Sequence, residues 1–135
     1  MLKQLFESGP GRNDRWIATG LATLATQDAL LLMAGWARLQ PHPPEQVMPF
    51  IGALAVFSLR LALSARSPSR AGYVAALLLA LLHLANFGPH KFLTPNGAQI
   101  APMVVVGLLM IGQVAFAALE GLRGRNTLPV AGGAQ

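Results

Sequence analysis

Apolar residues fill four stretches of this chain, at about 16–37, 47–65, 71–87 and 100–122, and short gaps rich in proline, glycine and charge separate them. A helix of about 20 residues is roughly 30 Å long, the thickness of a bilayer's hydrocarbon core. Helices that are apolar on most faces need a large protein interior or lipid around them, and 135 residues offer no large interior. The pattern predicts an all-α integral membrane four-helix bundle, one domain over 1–125. The gaps are short, so consecutive helices are expected to be antiparallel neighbours in up-down order. Trp16 and Trp36 fall about 30 Å apart on the first helix, where each indole can sit in a headgroup layer. Pro41, Pro43 and Pro44 stiffen the first outer gap, and Gly88-Pro89 ends the third stretch.

The flanks are less regular. Leu2, Leu5 and Phe6 share one side of the leader, which is expected to lie on the membrane surface. Asn13 or Asp14 is placed to cap the first helix, and Pro102 falls in the expected first turn of the fourth. The tail 126–135 carries no charge after Arg125 and is expected to be disordered. Small residues four apart, among them Ala76/Ala80 and Ala117/Gly121, allow close helix approach in lipid.

Charge adds direction to this picture. Only 11% of the residues are charged and 53% are hydrophobic, against about 25% charged in soluble domains. The net charge of +5 is not a nucleic-acid footprint, because the basic residues bracket apolar stretches and form no single patch. Eight of the ten Lys and Arg residues fall in the leader (Lys3, Arg12, Arg15), the middle gap (Arg60, Arg66, Arg70) and the C-terminal segment (Arg123, Arg125). The other two gaps hold Arg38 and Lys91. Basic residues are retained in the cytoplasm during insertion. The chain is therefore expected to be a multi-pass protein of a bacterial inner (plasma) membrane with both termini cytoplasmic. A dual-topology exporter would need almost no charge bias, and this bias is strong. The expected partners are the lipid bilayer and either another membrane protein or further copies of the chain.

The absence of cysteine excludes disulfides, thiolate metal sites, iron–sulfur clusters and covalent haem attachment. His42, Glu45 and His90 lie in different outer loops with no ligand spacing, so neither a metal nor a cofactor is expected.

Asp28 is the residue that calls for an explanation. A carboxylate inside a membrane helix costs on the order of 3 kcal/mol even on the gentler insertion scale. It lies roughly 18 Å from the cytoplasmic side, and His83 lies roughly 15 Å deep from the same side. Asn86 shares the His83 face one turn on, and Gln27 and Gln113 are expected at comparable levels. Convergence of these five groups allows three readings: a ligand or proton site built on Asp28 and His83, a hydrogen-bond network that fixes helix packing, or an ion pair between Asp28 and Arg60. Thr19, Thr23 and Thr26 form a separate stripe, expected to bond its own backbone.

Small size, short loops and the lack of a cofactor ligand set favour a non-catalytic accessory or interaction subunit of a membrane assembly. A small transporter or ligand-binding protein using Asp28 and His83 is the alternative. A membrane enzyme acting on a lipid or quinone-like substrate comes third, since one acid and one imidazole suffice for proton transfer but nothing names a substrate. Helix count and size alone assign no function.

Overall fold

A computed structural model describes residues 11–40, 42–65 and 69–127. Of the expected surface segment, 1–15, residues 12–15 form the first turn of a helix and 1–10 lie outside the described residues; of the expected disordered tail, 126–135, residues 126 and 127 are helical and the rest lie outside. Four helices dominate: α1 (Arg12–Trp36), α2 (Met48–Ser64), α3 (Arg70–Phe87) and α4 (Gly97–Thr127). A 3₁₀ turn at Glu45–Val47 leads into α2 and another at Pro89–Leu93 follows α3. There is no strand among the described residues. With those turns counted, all four helical segments are long and apolar enough to cross a membrane.

The helix ends differ from expectation in ways local chemistry explains. Helix α1 starts on Gly11 and has no side-chain cap, so neither Asn13 nor Asp14 plays that part. Asp14 instead points inward from the first turn and is 8% exposed. Helix α3 is capped by Ser69, whose Oγ accepts the Gly72 N–H at 3.2 Å. Helix α4 begins at Gly97 and is 31 residues long, which puts Pro102 inside the helix and not in its first turn. The proline ring removes the N–H that would have bonded the Ala98 carbonyl.

Helix α1 lies between α2 and α4, and α4 lies between α1 and α3. Neighbours run in opposite directions. Met48 of α2 packs on Gly35 of α1 while Gly52 faces Leu32. Gly20 of α1 faces Val114 of α4, whereas Gln27 reaches Met103. On α3, Phe87 packs on Gly107 of α4 and Tyr73 on Gly121. The diagonal pair α1 and α3 is parallel, because Asp14 meets Tyr73 and Asp28 meets His83.

Packing along this diagonal depends on side-chain size. Ile17, Leu21 and Leu24 of α1 and Ala76 and Ala80 of α3 are at most 1% exposed and belong to one core cluster. Large residues on one helix fill the space opposite alanines on the other. Ala117 and Gly121 are likewise buried. The outer surface is the reverse: Val56, Phe57, Leu63 and Leu109 are each at least 60% exposed.

Helix α1 ends in a Schellman arrangement. The Leu39 N–H donates to the Ala34 carbonyl at 2.9 Å and the Arg38 N–H to Gly35 at 3.2 Å. This forces Arg38 to φ 52°, a left-handed conformation that costs a side-chain-bearing residue about 1 kcal/mol. Arg38→Gly relieves that strain, and the extra freedom of glycine in the unfolded chain cancels about half of the gain. The expected result is a stabilisation of about 0.5 kcal/mol, read as a raised unfolding midpoint in detergent. A lowered midpoint would show that Arg38 makes a contact worth more than the strain.

Candidate functional site

The buried residues of α1 include a row Asp14, Ile17, Leu21, Leu24, Asp28, and those of α3 a row Tyr73, Ala76, Ala80, His83, Phe87. Both follow alternating steps of three and four, which keeps a helix seam facing one neighbour. Each seam carries a polar residue near either end, with only apolar side chains between them. The result is two polar clasps on one apolar seam.

The first clasp joins the N-terminal ends of α1 and α3. The Tyr73 hydroxyl donates to Asp14 Oδ1 at 3.2 Å, and both residues are buried. The sequence pattern offers Asp14 as a cap and does not single out Tyr73. The signal that finds it is the seam spacing carried backward from Leu21 and Ile17 to Asp14.

The second clasp contains the candidate site. Asp28 and His83 both have zero exposure. His83 Nε2 lies 2.9 Å from Asp28 Oδ2. The Asn86 amide donates to Asp28 Oδ1 at 3.2 Å. His83 Nδ1 lies 2.7 Å from the Leu79 carbonyl one turn back, and the imidazole stacks on Phe87 with ring centroids 6.3 Å apart.

These contacts fix a proton count. A carbonyl oxygen only accepts, so His83 Nδ1 carries a hydrogen and donates it to Leu79. The short contact between Nε2 and Oδ2 then needs a second hydrogen, on the ring or on the carboxyl. Either placement leaves the pair with zero net charge, the state that burial in an apolar interior favours. The clasp therefore holds one shared proton, and all four polar atoms of the two side chains are satisfied.

Other residues named from the sequence lie elsewhere. Gln27 is buried but turns toward α4, donating to the Met103 carbonyl at 3.1 Å while its Oε1 has no partner among the described residues. Gln113 is not level with Asp28. Its amide donates to the Trp16 carbonyl at 3.0 Å and to Thr19 Oγ1 at 3.1 Å, roughly 13–18 Å down α1 from Asp28. The α1–α4 register, set by the pairing of Gln27 with Met103, places it there.

Arg60 does not pair with Asp28. No carboxylate lies within 4 Å of it among the described residues. Both Asp28 oxygens are already occupied from α3, and Arg60 lines a cleft between α2 and α3. The threonines bond their own helix: Thr19, Thr23 and Thr26 donate to carbonyls four residues back at 2.7–2.8 Å. Ser58 is fully buried on α2, and its hydroxyl has no partner among the described residues.

No three His, Cys, Asp or Glu side chains gather among the described residues in a way that could hold a metal ion. Chemically, the Asp28–His83 pair can hold a proton or exchange it. Reaching a substrate would require α1 and α3 to part. No family model, curated protein or solved structure matches this chain.

Proposed function

We propose that this chain is a small polytopic protein of a bacterial inner membrane, with both termini cytoplasmic, acting as a non-catalytic accessory or interaction subunit of a membrane assembly. The observation that carries the reading is the closure of the Asp28–His83–Asn86 clasp. The carboxylate most expensive to place in a membrane is spent on joining α1 to α3, and its two oxygens and both imidazole nitrogens are engaged. The apolar outer surface supports a lipid environment, since exposed patches of this kind make a soluble protein associate. The basic flanks support the orientation.

A second reading, a small proton-linked transporter or ligand-binding protein, is favoured by the shared proton and by the unpaired Gln27 Oε1 beside α4. The two readings part experimentally. Native electrophoresis and cross-linking in mild detergent should find the 14.2 kDa chain in a larger complex with a second polypeptide in fixed ratio. An isolated monomer that binds or moves a solute in a pH-dependent way would overturn the subunit reading. Membrane integration is checked by resistance to alkaline carbonate extraction. Orientation is checked by reporter fusions after residues 42, 67 and 127, of which only the first is expected to report from outside.

A further inference from the structure

Helices α2 and α3 are consecutive in sequence, yet they touch far less than the other neighbouring pairs. Between them lies a cleft of about 370 Å³, within the usual size range of ligand sites. Its walls are Phe57 and Leu61 from α2 and Leu78, Leu79 and Leu82 from α3. From Ser64 and Ala75 at one end to Phe57 and Leu82 at the other it runs about 10 Å along the helices. Among the described residues Arg60 is the only charged one in the lining.

Three observations bear on what fills this cleft. The walls are leucine and phenylalanine, which favour hydrocarbon over water. Arg60 sits about one turn from the end of α2 with no carboxylate within 4 Å among the described residues, so its donors are available to an anion. The same end of the bundle carries Arg70 and the N-terminus of the 18-residue helix α3, both of which favour negative charge. The sequence adds Arg66 in the connecting segment and no Asp or Glu anywhere from 46 to 119. An apolar slot with a guanidinium one turn in from its basic, headgroup-facing end matches an acyl chain joined to a phosphate. Basic pockets between membrane helices on the cytoplasmic side bind anionic headgroups for this reason, and a guanidinium can hold a phosphate through two hydrogen bonds.

We propose that the α2–α3 cleft binds one anionic phospholipid of the cytoplasmic leaflet, its phosphate on Arg60 and an acyl chain along Leu78 and Leu82. This rests on the membrane reading above and is independent of the subunit reading. The full-length protein, purified in mild detergent, is mixed with equal amounts of phosphatidylglycerol and phosphatidylcholine and weighed by native mass spectrometry. One retained phosphatidylglycerol is expected, favoured about fivefold or more over phosphatidylcholine, and Arg60→Ala should remove most of that preference. Ala75→Trp, which fills the headgroup-facing end of the cleft, should reduce retention of both lipids. Arg60 is exposed, so its replacement should leave the far-UV circular dichroism unchanged. Equal retention of the two lipids, an Arg60→Ala variant that keeps the preference, or displacement by millimolar inorganic phosphate would each overturn the proposal. So would a dimer mass abolished by Ala75→Trp, which assigns the cleft to a second copy. Failure of the membrane reading would show separately, as release of the protein by alkaline carbonate.

Discussion

His83→Ala is expected to destabilise the bundle by about 3 kcal/mol, whereas Asp28→Asn should cost less than about 1 kcal/mol. The alanine variant acts in two ways. It strands Asp28 with Asn86 as its one remaining partner, and it empties the space beside Phe87 that the imidazole fills. Stranding a buried charge costs about 3–5 kcal/mol in soluble proteins. In lipid the unfolded reference is still helical and finds other partners, so single interhelical hydrogen bonds average only about 0.6 kcal/mol. The cavity term is not reduced in this way and adds about 2 kcal/mol or more for a large-to-alanine change. Together they give the intermediate figure.

The Asp28→Asn variant tests the proton count. The amide it introduces can donate to His83 Nε2 while its oxygen accepts from Asn86, which reproduces the protonated pair atom for atom. If the pair instead held one hydrogen fewer, with a neutral His83 whose single N–H is on Nε2 facing a bare carboxylate, the new NH₂ group would face the donor of His83 or that of Asn86, and the variant would then fall as far as His83→Ala. Equilibrium unfolding in a mixed detergent series, followed by far-UV circular dichroism, measures both. Equal losses for the two variants would refute the shared proton. A folded Asp28→Asn protein also separates the functional readings, since any activity it loses reports on the proton and not on the fold.

Much of this arrangement is visible in the sequence because lipid simplifies the code. Long apolar stretches between proline- and glycine-bearing gaps fix four helices, and depth along a helix brings Asp28, His83 and Asn86 to one level. Depth alone does not say which helices face each other. The α1–α3 diagonal emerges only when the three-four spacing through Ile17, Leu21 and Leu24 is extended to Asp14 and Asp28 and matched to Tyr73 and His83. Gln113 shows the opposite difficulty. Helix α4 starts at Gly97 and not near Ile100, and three residues are about 4.5 Å of rise. Its level also depends on an antiparallel register that no local signal in α4 encodes. Arg60 resists assignment from sequence because a long side chain can reach several partners, and the choice is made by Asp28 already being saturated from α3.

Gly107→Ala is expected to cost about 2 kcal/mol, although alanine is the better helix former. A Cβ on Gly107 would stand 2.5 Å from Phe87 Cγ and 2.6 Å from its Cβ. Those atoms sit at the root of the side chain, so no rotation of the ring clears them, and α3 and α4 must move apart. Overpacking of this kind costs about 1–3 kcal/mol. The gain of up to about 1 kcal/mol from replacing glycine in a helix is largely absent here, because the helix already exists in the lipid-inserted reference state. Gly112→Ala is the control on the same helix: nothing lies within 4 Å of its added Cβ, and its stability should be unchanged or slightly raised. Equal midpoints for the two variants would show that α3 and α4 do not approach at Gly107. Phe87 also lies almost parallel to His83, with 8° between the rings, so its displacement is passed directly to the Asp28 clasp. Gly107→Ala and His83→Ala should therefore be less than additive, by about 0.5 kcal/mol or more, because the double variant gives the displaced ring the space the imidazole has left.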